Sequence, residues 1–116
     1  MTAVLSNFEE DALCLTQAAV GMSQALAQND EAALAAALET NLKVWTAIKT
    51  LVTQKDNRLP EDIRTNLTRL ADYTAKVIFD ISADRRAQKI ETLINANLQI
   101  AEGLLEGQAR AAALAG

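Results

Sequence analysis

A chain of 116 residues, 50% hydrophobic and only 3% aromatic, is sized for one domain with one core and is too apolar to remain disordered. Eleven basic against fifteen acidic residues leave a net charge of −4, which argues against a nucleic-acid surface, because phosphate binding needs clustered positive charge. The single cysteine, Cys14, excludes an internal disulfide and a cysteine metal cluster, and the absence of histidine removes the commonest general acid/base and metal ligand.

The frequent residues (Ala, Leu, Glu, Gln, Lys, Arg) all tolerate helix interiors, so an all-α domain is expected. The first predicted helix carries Leu5, Phe8, Ala12, Leu15, Ala19, Met22 and Leu26, spaced by threes and fours on one stripe. Ser6-Asn7-Phe8-Glu9 reads as a capping box at its start, and Asn29 or Asp30 can cap the second helix, so the first ends near Gln28. Glu9, Glu10 and Asp11 interrupt this segment early, which does not fit a signal peptide.

The second stripe is Leu34, Leu38, Asn41, Trp45, Ile48 and Val52, widened by Leu42 and Leu51. Lys55-Asp56-Asn57-Arg58 lacks apolar periodicity and reads as a loop. Leu59-Pro60 opens the third helix: proline suits the first helical position, and Glu61 and Asp62 favour the positive end of the dipole. Its stripe is Ile63, Leu67, Leu70, Thr74, Val77 and Ile81, and a break is expected around Ser82-Ala83-Asp84. The fourth stripe is Ile90, Leu93, Asn97, Ile100 and Leu104, with Gly103 and Gly107 weakening the end and an alanine-rich tail expected to fray.

Four amphipathic segments joined by short loops predict a four-helix antiparallel up-down bundle, one domain over residues 1–116 with its ordered core at about 6–107. The heptad regularity also permits a coiled-coil dimer, so the oligomeric state stays open. No apolar run approaches the ~20 residues that span a bilayer, so no membrane insertion and a cytoplasmic location are expected.

The polar residues on core-facing stripes need a reason. Asn41 and Asn97 lie on stripes, and Asn66 lies beside one. Asn41 and Asn97 can bond to each other, to backbone or to the Trp45 indole and so fix helix register, or one of them can meet a partner's backbone at a groove. Trp45 suits either the core or a binding anchor. Lys43 and Arg64, just off the stripes, are solvated charges or groove-rim contacts, and Cys14 is expected to be a small buried hydrophobe. No carboxylate cluster has metal-ligand spacing on one face, and there is no Gly-rich phosphate loop. No metal, cofactor or catalytic activity is expected.

Three motifs remain: Asn41-x-Lys43-x-Trp45-Thr46; Asp56-Asn57-x-Leu59-Pro60-Glu61-x-Ile63-Arg64-x-Asn66; and Lys89 followed by Leu93-Ile94-x-x-Asn97-x-x-Ile100-Ala101-x-Gly103-Leu104. In this order and spacing, over roughly residues 34–107, they resemble the flagellar biosynthesis regulator FlaF family of alphaproteobacteria. The resemblance implies a non-enzymatic protein needed for flagellin production and secretion. It would be a chaperone-like binder of flagellin working in the same pathway as the regulator FlbT, a second candidate partner. The apolar helix faces would then cover an amphipathic helix of the client. Two other readings stay open: a post-transcriptional regulator of flagellin expression acting with FlbT, and an unrelated self-associating helical bundle.

Overall fold

A computed structural model describes the backbone of residues 3–54, 60–80 and 86–115, and the side chains of 9–54, 60–80 and 86–106. The described residues form α1 (Ala3–Ala27), α2 (Glu31–Val52), α3 (Glu61–Phe79) and α4 (Arg86–Ala115). The expected loop at 55–58 and break at 82–84 lie outside the described residues.

The tightest connection shows how two adjacent residues divide the work of ending one helix and starting the next. Asn29 adopts a positive φ of 51°, the left-handed conformation that asparagine tolerates better than most residues. Its N–H donates to Leu26 O and that of Asp30 donates to Ala25 O, both at 3.2 Å, the paired bonds of a Schellman motif. The Asp30 carboxylate then accepts from Ala33 N at 3.0 Å and caps α2. Asn29 therefore closes α1 and Asp30 opens α2.

Two helix starts differ from the sequence reading. α1 begins at Ala3, so Ser6 lies inside the helix and is not its N-cap. Ala3-Val4-Leu5 contains no helix breaker, and the helix continues backwards through it. Pro60 is the N-cap of α3, not its first helical residue: ψ is 147°, and its carbonyl accepts from Arg64 N at 3.0 Å. Glu61 and Asp62 occupy the first turn as expected. At the other end, α4 is helical through Gly103 and Gly107 to Ala115, where alanine's high propensity offsets the two glycines.

The helices form the antiparallel bundle. α1 packs most extensively on α4, then on α2, and α2 packs on α3, while among the described residues α3 and α4 approach less closely. At 1.5 Å per residue the 30-residue α4 is ~45 Å long, which sets the 48 Å long axis of a 48 × 24 × 18 Å body. Two apolar clusters fill it. One joins Ala12, Leu15, Trp45, Ile48, Val52, Leu67, Ala71 and Ala101. The other joins Met22, Ala25, Leu34, Leu38, Ile90 and Leu93. Ala12 shares a cluster with Ala101, whereas Met22 and Ala25 share one with Ile90 and Leu93, so α1 and α4 run in opposite directions.

Ion pairs trim the surface. Lys49 pairs with Asp72 at 2.5 Å between α2 and α3, and Arg86 with Glu31 at 2.7 Å between the starts of α4 and α2. Each has an exposed partner and contributes at most about 1 kcal/mol. The fold rests on the two clusters.

Candidate functional site

The polar stripe residues meet between the two clusters. On α2, Asn41 follows Leu38 of one cluster and precedes Trp45 of the other; on α4, Asn97 stands likewise between Leu93 and Ala101. On α3, buried Thr74 stands between Ala71 and Val77. On α1 the corresponding stretch between Leu15 and Met22 offers the small buried residues Ala18 and Ala19. Their size leaves room for polar side chains from the facing helices.

Asn97 is the hub. Its Oδ1 accepts from Trp45 Nε1 at 2.9 Å, and its Nδ2 donates to Asn41 Oδ1 at 2.7 Å and to Leu15 O at 3.1 Å. One side chain on α4 thus ties together α1 and two positions of α2. Asn41, Trp45 and Asn97 are essentially inaccessible to solvent. The amide orientation is fixed by this geometry, because turning Asn41 would set two amide nitrogens against each other. The arrangement leaves Asn41 Nδ2 buried without a hydrogen-bond partner among the described residues. Two asparagines and an indole hold no proton that titrates near neutral pH and no nucleophile, so the layer's chemistry is donation and acceptance of hydrogen bonds.

The other residues singled out from the sequence do not join this layer. Lys43 is exposed and lies 3.5 Å from Glu39 one turn earlier on α2. Asn66, expected beside the core, is exposed. It lines an open depression on α3 with Glu61, Asp62, Thr65 and Arg69, about 100° round the helix from buried Leu67. Arg64 is half-buried, with its Nε shielded and unpartnered among the described residues. Cys14, expected to be buried, is exposed: it stands about 100° from the fully buried Leu15, on the outside of α1. Ile63, expected on the core stripe, is also exposed. The Lys49–Asp72 pairing sets α2 against α3 so that the first turn of α3 extends past Val52, where α2 has ended.

A second feature escaped the stripe analysis. Leu13, Val20, Leu98 and Leu105 are 57%, 47%, 42% and 48% exposed, on the outward faces of α1 and α4. Leu13 and Val20 are two turns apart, as are Leu98 and Leu105, and that i, i+7 repetition outside the core stripes was the readable signal.

The remaining electrostatics are mild. Desolvation, with help from the neighbouring Glu10 charge, raises the pKa of Asp11 above its ordinary value. Among the described residues no three potential metal ligands come together, and no helix is long and apolar enough to cross a membrane.

No curated protein and no solved structure matches the chain. A family model does: the one described as flagellar protein FlaF matches residues 1–104, nearly the whole length, with Asn41, Trp45 and Asn97 inside the match. The chain belongs to the FlaF family of flagellar proteins.

Proposed function

We propose that this FlaF-family protein acts in the cytoplasm as a chaperone-like binder of flagellin, required for flagellin synthesis and secretion, and that it works by binding and not by catalysis. The family membership carries the reading. The structure supports it in two ways. The buried polar residues form a hydrogen-bonded register layer with no acid, base or nucleophile in it. Large apolar side chains remain exposed on helices whose other faces are packed, as a surface for covering a client's apolar helix would require.

The test is co-elution. The purified chain, mixed with a flagellin of the same organism kept monomeric, should run on gel filtration as a complex at micromolar concentrations. If the two proteins elute separately, the binding role is wrong. FlbT, the other partner implied by the resemblance, is tested in the same column format.

A further inference from the structure

Basic residues are absent from one stretch of the bundle surface. α1 contains no lysine or arginine, and neither does α4 from Ile90 to Glu106. The basic residues of the four helices stand elsewhere: Lys43 and Lys49 on α2, Arg64, Arg69 and Lys76 on α3, and Arg86, Lys89 and Arg110 toward the two ends of α4. The outward surface of the α1–α4 pair carries the exposed carboxylates of Glu10, Glu91, Glu102 and Glu106.

The same surface carries exposed Leu13, Val20, Leu98 and Leu105; the other exposed large apolar side chains among the described residues, Ile63, Tyr73 and Phe79, lie on α3. The bond from Asn97 to Leu15 O sets the register, so that Leu13 on α1 is level with Leu98 on the antiparallel α4. Successive residues lie 100° apart, which places Leu98 and Leu105 on the shoulder of α4 next to α1, beside half-buried Ile94. Leu13 and Val20 lie across the seam on α1, beyond half-buried Thr16, whose hydroxyl is occupied by Ala12 O at 2.8 Å. The close packing of α1 on α4, through Ala12, Ala19 and Ala101, makes the floor of this seam shallow. Because the helices run antiparallel, Leu13 faces Leu98 across it, while Val20 on α1 and Leu105 on α4 lie two turns from that pair toward opposite ends. This diagonal apolar line, about four helical turns long, fits one face of another helix laid across the seam.

We propose that the outward face of the α1–α4 pair docks an amphipathic helix of a protein partner, one whose apolar stripe is bordered by lysine or arginine. The proposal rests on the client-binding reading above and names its surface. The apolar residues supply the anchors, and the carboxylates around them select the charge of the helix's borders. A second copy of this chain is the wrong occupant. Face-to-face pairing would set the Glu91, Glu102 and Glu106 carboxylates of two copies against one another, with no basic side chain on this stretch of either helix to offset them.

The experiment uses the full-length chain and two labelled synthetic helical peptides of roughly five turns. Both carry the same leucine stripe; one is bordered by lysines and the other by glutamates. Fluorescence anisotropy is read for the wild type, for Leu13→Ser with Leu98→Ser, and for Tyr73→Ser, an exposed aromatic change on α3. Circular dichroism confirms that each variant is folded. The lysine-bordered peptide should bind, more weakly as salt is raised, and at least about tenfold tighter than its glutamate twin. The double serine change should weaken it by about tenfold or more through the lost apolar contacts, with Tyr73→Ser unchanged. No binding of the lysine peptide, equal binding of both peptides, or binding indifferent to the double change each overturns the proposal. Flagellin is run in parallel to separate the two claims. If flagellin binds the wild type and the double variant equally, the client role stands and this surface is wrong. If flagellin does not bind while the lysine peptide does so through Leu13 and Leu98, the surface stands and the client role is wrong.

Discussion

Replacing Asn97 by alanine is the sharpest test of the polar layer. The change removes three hydrogen bonds at once: from Trp45 Nε1, to Asn41 Oδ1 and to Leu15 O. The Leu15 carbonyl keeps a partner within its own helix. Trp45 Nε1–H and the Asn41 amide have no replacement and are sealed from water. Each stranded group costs roughly 1–3 kcal/mol, and the space left by the side chain adds to that, so the total comes to about 3–5 kcal/mol. Against a domain stability of roughly 5–15 kcal/mol the loss is large and measurable. Urea unfolding, followed by far-UV circular dichroism and by fluorescence, is the assay. Trp45 is the only tryptophan, so its emission reports the layer directly. Asn41→Ala should cost less, because Asn41 contributes one bond to Asn97 and its own Nδ2 is unpaired. The cycle between the two positions should show coupling of about 1–3 kcal/mol. A loss below about 1 kcal/mol for Asn97→Ala, or additive single changes, would refute this account of the layer.

Trp45→Ala should destabilise by roughly 3–5 kcal/mol in a thermal or urea melt, because the indole is buried within its cluster; a much smaller loss would contradict that packing. Asp30→Ala should cost about 0.5–2 kcal/mol by removing the α2 cap, whereas Lys49→Ala should cost under about 1 kcal/mol, both measured by urea unfolding. Asp11 is an acid whose folded pKa is raised, so its ionisation opposes folding above that pKa, and the penalty vanishes below its ordinary value of 3.8. Asp11→Asn should therefore stabilise the protein at neutral pH, with the difference from wild type disappearing as pH falls below 3.8; a pH series of melts reads it.

The sequence made the interior legible and the exterior much less so. Trp45 and Asn97 announce themselves because they fall on core stripes where a polar group needs a partner, and the two asparagines and the indole do bond to one another, with Asn41 Nδ2 left over. Periodicity cannot rank positions one residue off a stripe. Cys14 and Asn66 each neighbour a buried leucine, yet a 100° turn puts them in water. Ile63 keeps the right phase, but its solvation depends on where the neighbouring helix ends. The Ser6-x-x-Glu9 pattern matched a capping box, but a local pattern cannot stop a helix when Ala3-Val4-Leu5 allows it to start earlier. The outward leucines of α1 and α4 were missed for a related reason. Single exposed apolar residues are ordinary, and only the pairing of the two helices places these on one face.

The most direct test of the proposed role is an isothermal titration of the full-length protein with a flagellin of the same organism, held monomeric and run at several temperatures. Saturable one-to-one binding with a negative heat-capacity change is the predicted result, the signature of apolar surface buried between chaperone and client. Absence of heat at every temperature, with both proteins folded, would contradict the flagellin-binding role and leave the family's flagellar function to a different partner.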